Sequence, residues 1–410
     1  MKKGIMTKGF NALLVTQFLG AANDNLLKQL IALQVVAGVW AGELGNGGQG
    51  IITLYFTLPF LLFSGWAGQL ADRYSKQKLS QWVKIFEIFL GLGVICALWF
   101  QSLWLAIAML ILLGFQSTIF GPAKYGMIPE LFPEQLLSKA NGALNMLTNI
   151  SIIFGAFIGG CFSDGYPAHR LLPGLVVLVI ALSGFTSSMF LEKLPAQDPS
   201  VKLTKNPFQP YTSSLKVMSK LHHLLSVMFG WAFFNFIGIL VLMSILDFKV
   251  ILEISDTQTS LLNLFLVVGI AFGSLMAGLL SKDRIRLGLV PIGAAGITLF
   301  LLILGFSNLS HIFVIICLVF LGVFGGFYTV PLQAFIQAKA PLELRGRILG
   351  TTNFMSFVFI GIGGGLYWFM RSKVHMDVQP MLVIYGALML IEALYLVWRL
   401  RDMYKVRVEL

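Results

Sequence analysis

The chain has 410 residues, 57% of them hydrophobic and 11% charged, with a formal net charge of +11 and a mean hydropathy of +0.84. Ordinary globular domains carry about 25% charged residues, so apolar surface on this scale excludes a single soluble core and makes the bilayer the expected solvent. The basic balance does not indicate nucleic-acid binding: the cations fall in short clusters between apolar runs, with no continuous basic face interleaved with aromatics.

The N-terminal Met-Lys-Lys leads into a long apolar segment that contains Asp24 and Lys28. Its length and polarity do not match a cleaved signal peptide, so it is kept as the first spanning helix. Apolar runs then recur, with predicted spans at 9–38, 49–71, 79–100, 103–127, 136–162, 171–191, 223–248, 258–280, 287–307, 310–336, 346–370 and 380–399. Each reaches the ~20 residues a helix needs to cross the hydrocarbon. The runs are continuous and do not alternate with period two, which predicts helices and not a barrel. Placing the N-terminus inside leaves Arg170, Lys249, Arg371 and Lys373 in outside loops and Lys28 and Lys124 within spans. The other Lys and Arg, Lys76, Lys78 and Lys84 among them, fall on the cytoplasmic side. This positive-inside asymmetry puts both termini in the cytoplasm.

The longest hydrophilic stretch, 192–222, carries Pro195, Pro199, Pro207, Pro210 and several lysines. The predicted organisation is an N-terminal six-helix bundle at 1–191, a cytoplasmic linker at 192–222 and a C-terminal six-helix bundle at 223–410. Internal similarity supports two halves. Gly65-Trp-Ala-Gly-Gln-Leu-Ala-Asp-Arg-Tyr-Ser-Lys-Gln-Lys78 follows span two, and Gly273-Ser-Leu-Met-Ala-Gly-Leu-Leu-Ser-Lys-Asp-Arg-Ile-Arg286 follows span eight. Pro122-Ala-Lys124 late in span four corresponds to Pro331-Leu-Gln333 late in span ten, and a second proline follows each, Pro133 or Pro341. A parallel repeat of six-helix halves with a site near the midplane is a known transporter plan.

Ionisable groups inside spans are costly and by default mark functional sites. Asp24 and Lys28 stand at i,i+4 and can pair on one helix face. Either they neutralise each other and fix packing, or Asp24, flanked by Asn23 and Asn25, faces a cavity and contacts a substrate's polar head or a coupling cation. In span four, Gly121-Pro122 breaks helix regularity beside Lys124, as happens where backbone lines a cavity or packs on protein. Lys124 either snorkels to the interface or offers an ammonium to a lipid phosphate, with Tyr125 assisting and Glu130 a gate partner at the cytoplasmic end. Asn141, Asn145 and Asn149 make one face of span five, and Gln116, Asn235, Asn263, Gln333 and Asn353 add uncharged donors and acceptors. Such groups often join helices. A subset, with Asn145, Asn149, Asn235, Gln333 and Asn353 the candidates, is expected to line the cavity.

Cys96, Cys161 and Cys317 lie far apart in apolar runs and are read as buried structural thiols. The five histidines sit near span ends and loops, and suggest neither a metal site nor a catalytic triad. No cofactor is expected and no catalytic constellation points to an enzyme.

At Gly65 to Lys78 the sequence resembles the major facilitator superfamily, whose signature loop between helices two and three has the form G-x-x-x-D-R-x-x-R/K-R/K. Within it, Phe18-Leu-Gly-Ala-Ala-Asn-Asp-Asn25, Phe120-Gly-Pro-Ala-Lys-Tyr-Gly126 and Val330-Pro-Leu-Gln-Ala334 are similar to the lysophospholipid transporters and to the transporter half of bifunctional acyltransferase fusions. The resemblance covers essentially the whole chain. It implies an all-α membrane protein with twelve transmembrane helices in two pseudo-symmetric bundles. It also implies alternating-access movement of lysophospholipids, such as lysophosphatidylethanolamine, from the outer to the inner leaflet of a bacterial inner membrane. The alternative is a carrier of another amphiphile, a drug or siderophore, with or without proton coupling. Asp72 and Arg73 would belong to a cytoplasmic gate, with Arg345 and Arg347 taking part. No acyltransferase domain follows Leu410, so a re-acylating enzyme is expected as a separate protein. Trp231-Ala-Phe-Phe-Asn-Phe236 would offer an apolar wall to one acyl chain.

Overall fold

The apolar runs become helices, and small hydroxyl caps set the starts of several of them. Thr7 accepts from Phe10 N at 3.2 Å, Ser102 from Leu105 N at 3.3 Å and Ser310 from Phe313 N at 3.4 Å, each satisfying an amide that the first helical turn leaves without a partner. The computed structural model describes residues 7–39, 44–197, 199–200, 206, 208–221, 223–281, 285–307, 310–341 and 345–401. Among them are α1 (Lys8–Val36), α2 (Gly48–Arg73), α3 (Lys76–Trp99), α4 (Leu103–Leu131), α5 (Glu134–His169), α6 (Leu172–Ser188) and α7 (Gln209–Met218). They continue with α8 (Leu224–Leu252), α9 (Asp256–Ser281), α10 (Leu289–Phe306), α11 (His311–Lys339), α12 (Arg345–Trp368) and α13 (Val378–Arg399). All except α7 fall on the predicted spans. Ten are long and apolar enough to cross a membrane; the other two are α6, with 17 residues, and α1, whose apolar character is diluted by Asn, Asp, Gln and Lys.

The short helix α7 lies inside the stretch expected to be a plain linker. The Tyr211 ring stacks on Phe354 of α12 with centroids 4.1 Å apart, which gives an otherwise polar ten-residue helix an apolar anchor. Lys282, Asp283 and Arg284, part of the repeated Asp-Arg pattern, lie outside the described residues.

Contacts divide the chain into two compact units, Met1–Glu43 with Tyr55–Pro207, and Leu44–Leu54 with Phe208–Leu410. In the first, α1 packs on α5, α6 and α4, and α3 packs on α4 and α6. In the second, α8 packs on α12, α13 and α11, and α10 packs on α11 and α13. The same pairings recur, so Pro122 of α4 and Pro331 of α11 occupy equivalent helices, as their sequence context suggested.

Within the second unit α9 and α11 approach most closely. A Cβ on Gly273 would overlap the Val323 carbonyl, and one on Gly326 would meet the Gly273 carbonyl carbon and Ser274 N. Small residues at such crossings let backbones touch, which in lipid replaces the hydrophobic drive for helix association. Gly278, one turn on, has nothing within 4 Å of its Cβ position. Gly273→Val should therefore destabilise the protein by about 1–3 kcal/mol through overpacking, read as a lower unfolding temperature in detergent. Gly278→Ala should leave that temperature unchanged or slightly higher.

Candidate functional site

Asn23 and Asp24 are adjacent on α1 but engage different helices. The Asp24 carboxylate is buried and accepts hydrogen bonds from Ser117 Oγ and, at 3.4 Å, from Gln116 Nε2, both on α4. Asn23 Nδ2 donates to Glu87 Oε1 of α3 at 2.8 Å. The other Glu87 oxygen forms an ion pair with Lys84 Nζ at 2.5 Å, and both side chains are essentially inaccessible, at 0% and 1% exposure. Gln116, Phe120 and Lys124 follow at i, i+4, i+8 and therefore share a face of α4. Phe120 stands between two ammonium groups, with Lys84 Nζ 5.6 Å and Lys124 Nζ 6.0 Å from its centroid. Lys124 Nζ also lies 5.2 Å from the Tyr125 ring, and the Tyr125 hydroxyl donates to Asn145 Oδ1 at 2.8 Å. Glu87, Lys84 and Lys124 are all within electrostatic reach of Asp24. The first unit thus gathers Asp24, Lys124, Tyr125 and Asn145 into one polar cluster.

Several expectations change. No ion pair joins Asp24 to Lys28: Asp24 turns toward α4, while Lys28 Nζ sits over the Phe56 ring at 5.4 Å. Spacing at i,i+4 permits a pair without requiring one when each group finds another partner. Asn25 donates to Ala21 O on its own helix at 2.8 Å. Lys84, grouped above with the loop cations, is instead buried in the body of α3. Lys76 is buried too, and pairs with Glu130 and with Gln197 Oε1 at 3.2 Å, so Glu130 has a cation partner in its own unit. Arg73 lies over the Tyr74 ring at 5.6 Å, and Asp72 is exposed at the end of α2. The side chains of Arg345, Arg347 and Asn141 lie outside the described ones; Asn149 is exposed on α5. Cys317 is buried, whereas Cys96 and Cys161 are exposed.

In the second unit Asn235 donates to Trp231 O at 2.9 Å and to Ser356 Oγ at 3.4 Å, while Gln333 and Asn353 are exposed on α11 and α12. Phe236 packs edge-on to Phe359 with centroids 6.4 Å apart, and Phe234 stacks on Tyr328 at 5.7 Å. Among the described residues, no group of three or more His, Cys, Asp and Glu is placed to hold a metal ion.

Sequence reasoning missed a second polar network, inside the second unit. Asp247 of α8 accepts from the Tyr367 hydroxyl at 2.5 Å and from Gln49 Nε2 at 2.8 Å, and pairs with Arg371 Nε at 3.0 Å. Arg371, expected in an outside loop, sits in a π-helical segment, Phe369–Lys373. The wider turn brings its guanidinium back to Asp247, and Arg371 Nη1 donates to Met376 O at 2.8 Å; such segments often mark functional places. An Asp near the end of one apolar run and an Arg near the end of another was the available signal. Arg371→Leu should cost about 3–5 kcal/mol by leaving a buried carboxylate without its cation. Asp247→Leu/Arg371→Leu should recover most of that loss in a thermal unfolding assay.

The Major Facilitator Superfamily pattern matches residues 13–364. A lysophospholipid transporter of Photorhabdus laumondii is 30% identical over 338 residues, 81% of each chain. Another, from Escherichia coli O1:K1, is 27% identical over 409 residues, 97% of each chain. In fold the chain is similar to an auto-inhibited peptide transporter of the POT family, with a TM-score of 0.73 at 13% identity and 98% of each chain covered. It is also similar to the inward-open xylose transporter of E. coli, with a TM-score of 0.70 at 14% identity over 97% of this chain and 96% of that one. At these identities the solved structures speak to the fold alone. The repeated packing of two helical units, the Gly65–Lys78 loop motif and the match over most of the chain agree, and the chain belongs to the major facilitator superfamily.

Proposed function

We propose that this protein is a lysophospholipid carrier that moves single-chain phospholipids from the outer to the inner leaflet of a bacterial inner membrane by alternating access. Its working halves are 1–191 and 223–410, joined by the linker 192–222, with both termini cytoplasmic. The observation that carries the substrate class is the pairing of chemistries in the first unit. Asp24 offers a carboxylate, and Lys124 offers an ammonium with no carboxylate within ion-pair distance among the described residues, held near two aromatic rings. A zwitterionic phospholipid head presents an ammonium and a phosphate, which need those two partners. The lysophospholipid transporters named above, aligned over most of their length, support the same substrate. Tyr125, Asn145 and Asn149 extend the polar surface beside Lys124, with Asn25 and Lys28 on α1. Asn235, Gln333 and Asn353 are the second unit's contribution, and the rings around Phe236 and Phe359 serve the acyl chain. The product is re-acylated by a separate acyltransferase.

Asp72 and Arg73, with Arg345 and Arg347, act in the cytoplasmic gate, and the Lys76–Glu130 pair braces it from within the first unit. A gate residue biases an equilibrium only through contacts that differ between states. Asp72→Ala should shift the population toward inward-open and slow turnover with folding preserved. Unchanged labelling of cytoplasmic-side cysteine probes in that variant would remove it from the gate.

The substrate reading is tested by uptake of labelled lysophosphatidylethanolamine into vesicles containing the purified protein. Charged hydrogen bonds are worth roughly 1.5–3 kcal/mol, so Asp24→Ala and Lys124→Ala should each reduce uptake about tenfold or more. Near-normal uptake by well-folded Lys124→Ala would return that lysine to snorkelling. Wild-type vesicles that take up another amphiphile but no lysolipid would replace the substrate.

A further inference from the structure

Asn23 and Asp24 are consecutive, so their side chains leave α1 about 100° apart, and a different helix holds each direction. Glu87 on α3 holds Asn23; Ser117 and Gln116 on α4 hold Asp24. Glu87 is satisfied on both oxygens, by Asn23 and by Lys84. The Lys84 ammonium lies where Gly20 of α1 has no side chain: a Cβ on Gly20 would overlap Lys84 Nζ. Gly184 of α6 borders the same side chain, its Cβ position 3.5 Å from Lys84 Cδ. A buried ion pair is a poor source of stability compared with apolar packing, and its best-attested use is to fix registry. Here the pair crosses from α3 to a notch in α1, one turn from the residue that carries the site's carboxylate.

We propose that the Lys84–Glu87 pair is the positioning element of the head-group site: Glu87, by holding Asn23, fixes the rotation of α1 that turns Asp24 onto Ser117 and Gln116, and Lys84, seated in the Gly20 notch, holds Glu87 in place. The inference rests on the head-group site proposed above, in which Asp24 is the contact residue and neither Lys84 nor Glu87 touches substrate. Gly20 belongs to the same device. Substituting it displaces only the flexible end of Lys84, so the fold survives while the pair is disturbed.

Two readouts separate this from the head-group reading. The first needs no substrate. In a chain freed of its native cysteines, Asp24→Cys with Ser117→Cys should be joined readily by a short bifunctional thiol reagent. Adding Glu87→Leu should slow that joining roughly tenfold, since small misplacements of a positioned group carry large rate penalties; Gly20→Ala should slow it in the same direction. Glu87→Gln, which keeps an acceptor for Asn23 but removes the charge that Lys84 pairs with, should fall between the parent and Glu87→Leu. The second readout is lysophosphatidylethanolamine uptake. Glu87→Leu should raise KM about tenfold with kcat much less affected, Glu87→Gln should raise it by a smaller factor, and Glu87→Leu should add little in an Asp24→Asn background, as expected of coupled residues. If Glu87→Leu does not fold, Gly20→Ala and Asn23→Leu carry both measurements. Unchanged joining rates in folded variants, or additive effects of Glu87→Leu and Asp24→Asn on uptake, overturn the positioning role. Joining rates altered as expected in a protein that takes up no lysolipid overturn the head-group reading alone.

Discussion

A charge placed in hydrocarbon must find its partner inside the protein, because no water is there to take that role. This constraint organises the first unit from α1 outward. Asp24 cannot stay alone at the middle of an apolar helix, and Ser117 and Gln116 on α4 meet it. Glu87 and Lys84 meet each other on α3, and Asn23 joins their pair to α1. Three helices are thereby set in register by polar contacts while their remaining faces pack through Leu, Ile and small residues. Lys124 and Lys28 meet the constraint differently, since each rests against aromatic faces and has no carboxylate at ion-pair distance among the described residues. A cation–π contact of this kind is worth more when desolvated than in water, yet it leaves the ammonium's hydrogen-bonding capacity open to a phosphate.

The second unit uses its charges in another way. Tyr367, Gln49 and Arg371 gather around Asp247, and Tyr328 supplies a hydrogen bond of 2.8 Å to Glu392. Beside Asn235 stand aromatic residues, and among the described residues no charged partner is hydrogen-bonded to its side chain. Among the described residues, the first unit holds the ammonium groups of Lys28 and Lys124 away from any carboxylate, and the second pairs Asp247 with Arg371 and Asp256 with Lys249.

Much of this was legible in the sequence because the physics acts locally. Twelve apolar runs became helices, and the Pro122 and Pro331 contexts became equivalent helices of a repeat. Asp24 and Lys124 stood out because a charge in an apolar run is conspicuous. Lys84 was not legible as a buried residue: although it falls within the predicted span 79–100, it follows Arg73, Lys76 and Lys78 so closely that it counts with the cytoplasmic cations. Only the fold shows that Lys84 turns inward and pairs with Glu87, three residues on. The Asp24–Lys28 pair failed for the converse reason, since i,i+4 spacing describes reach along one helix and tertiary partners drew the two groups apart. Arg371 was misplaced because a π segment leaves no sequence signature, and α7 because its anchor, Phe354, is far away in the chain.

The division of α2 has a mechanical meaning. Its first turns, within Leu44–Leu54, pack with the second unit, and from Tyr55 onward it packs with the first. Pro59 lies just past that boundary. Lacking an N–H, it leaves the Tyr55 carbonyl without its helical partner, at the place where the helix changes allegiance. A rod gripped at both ends transmits displacement, and it yields where a rung of its ladder is missing. The hydrogen-bond ladder of this shared helix is thus interrupted at the turn between Tyr55 and Pro59, a place set by the sequence itself.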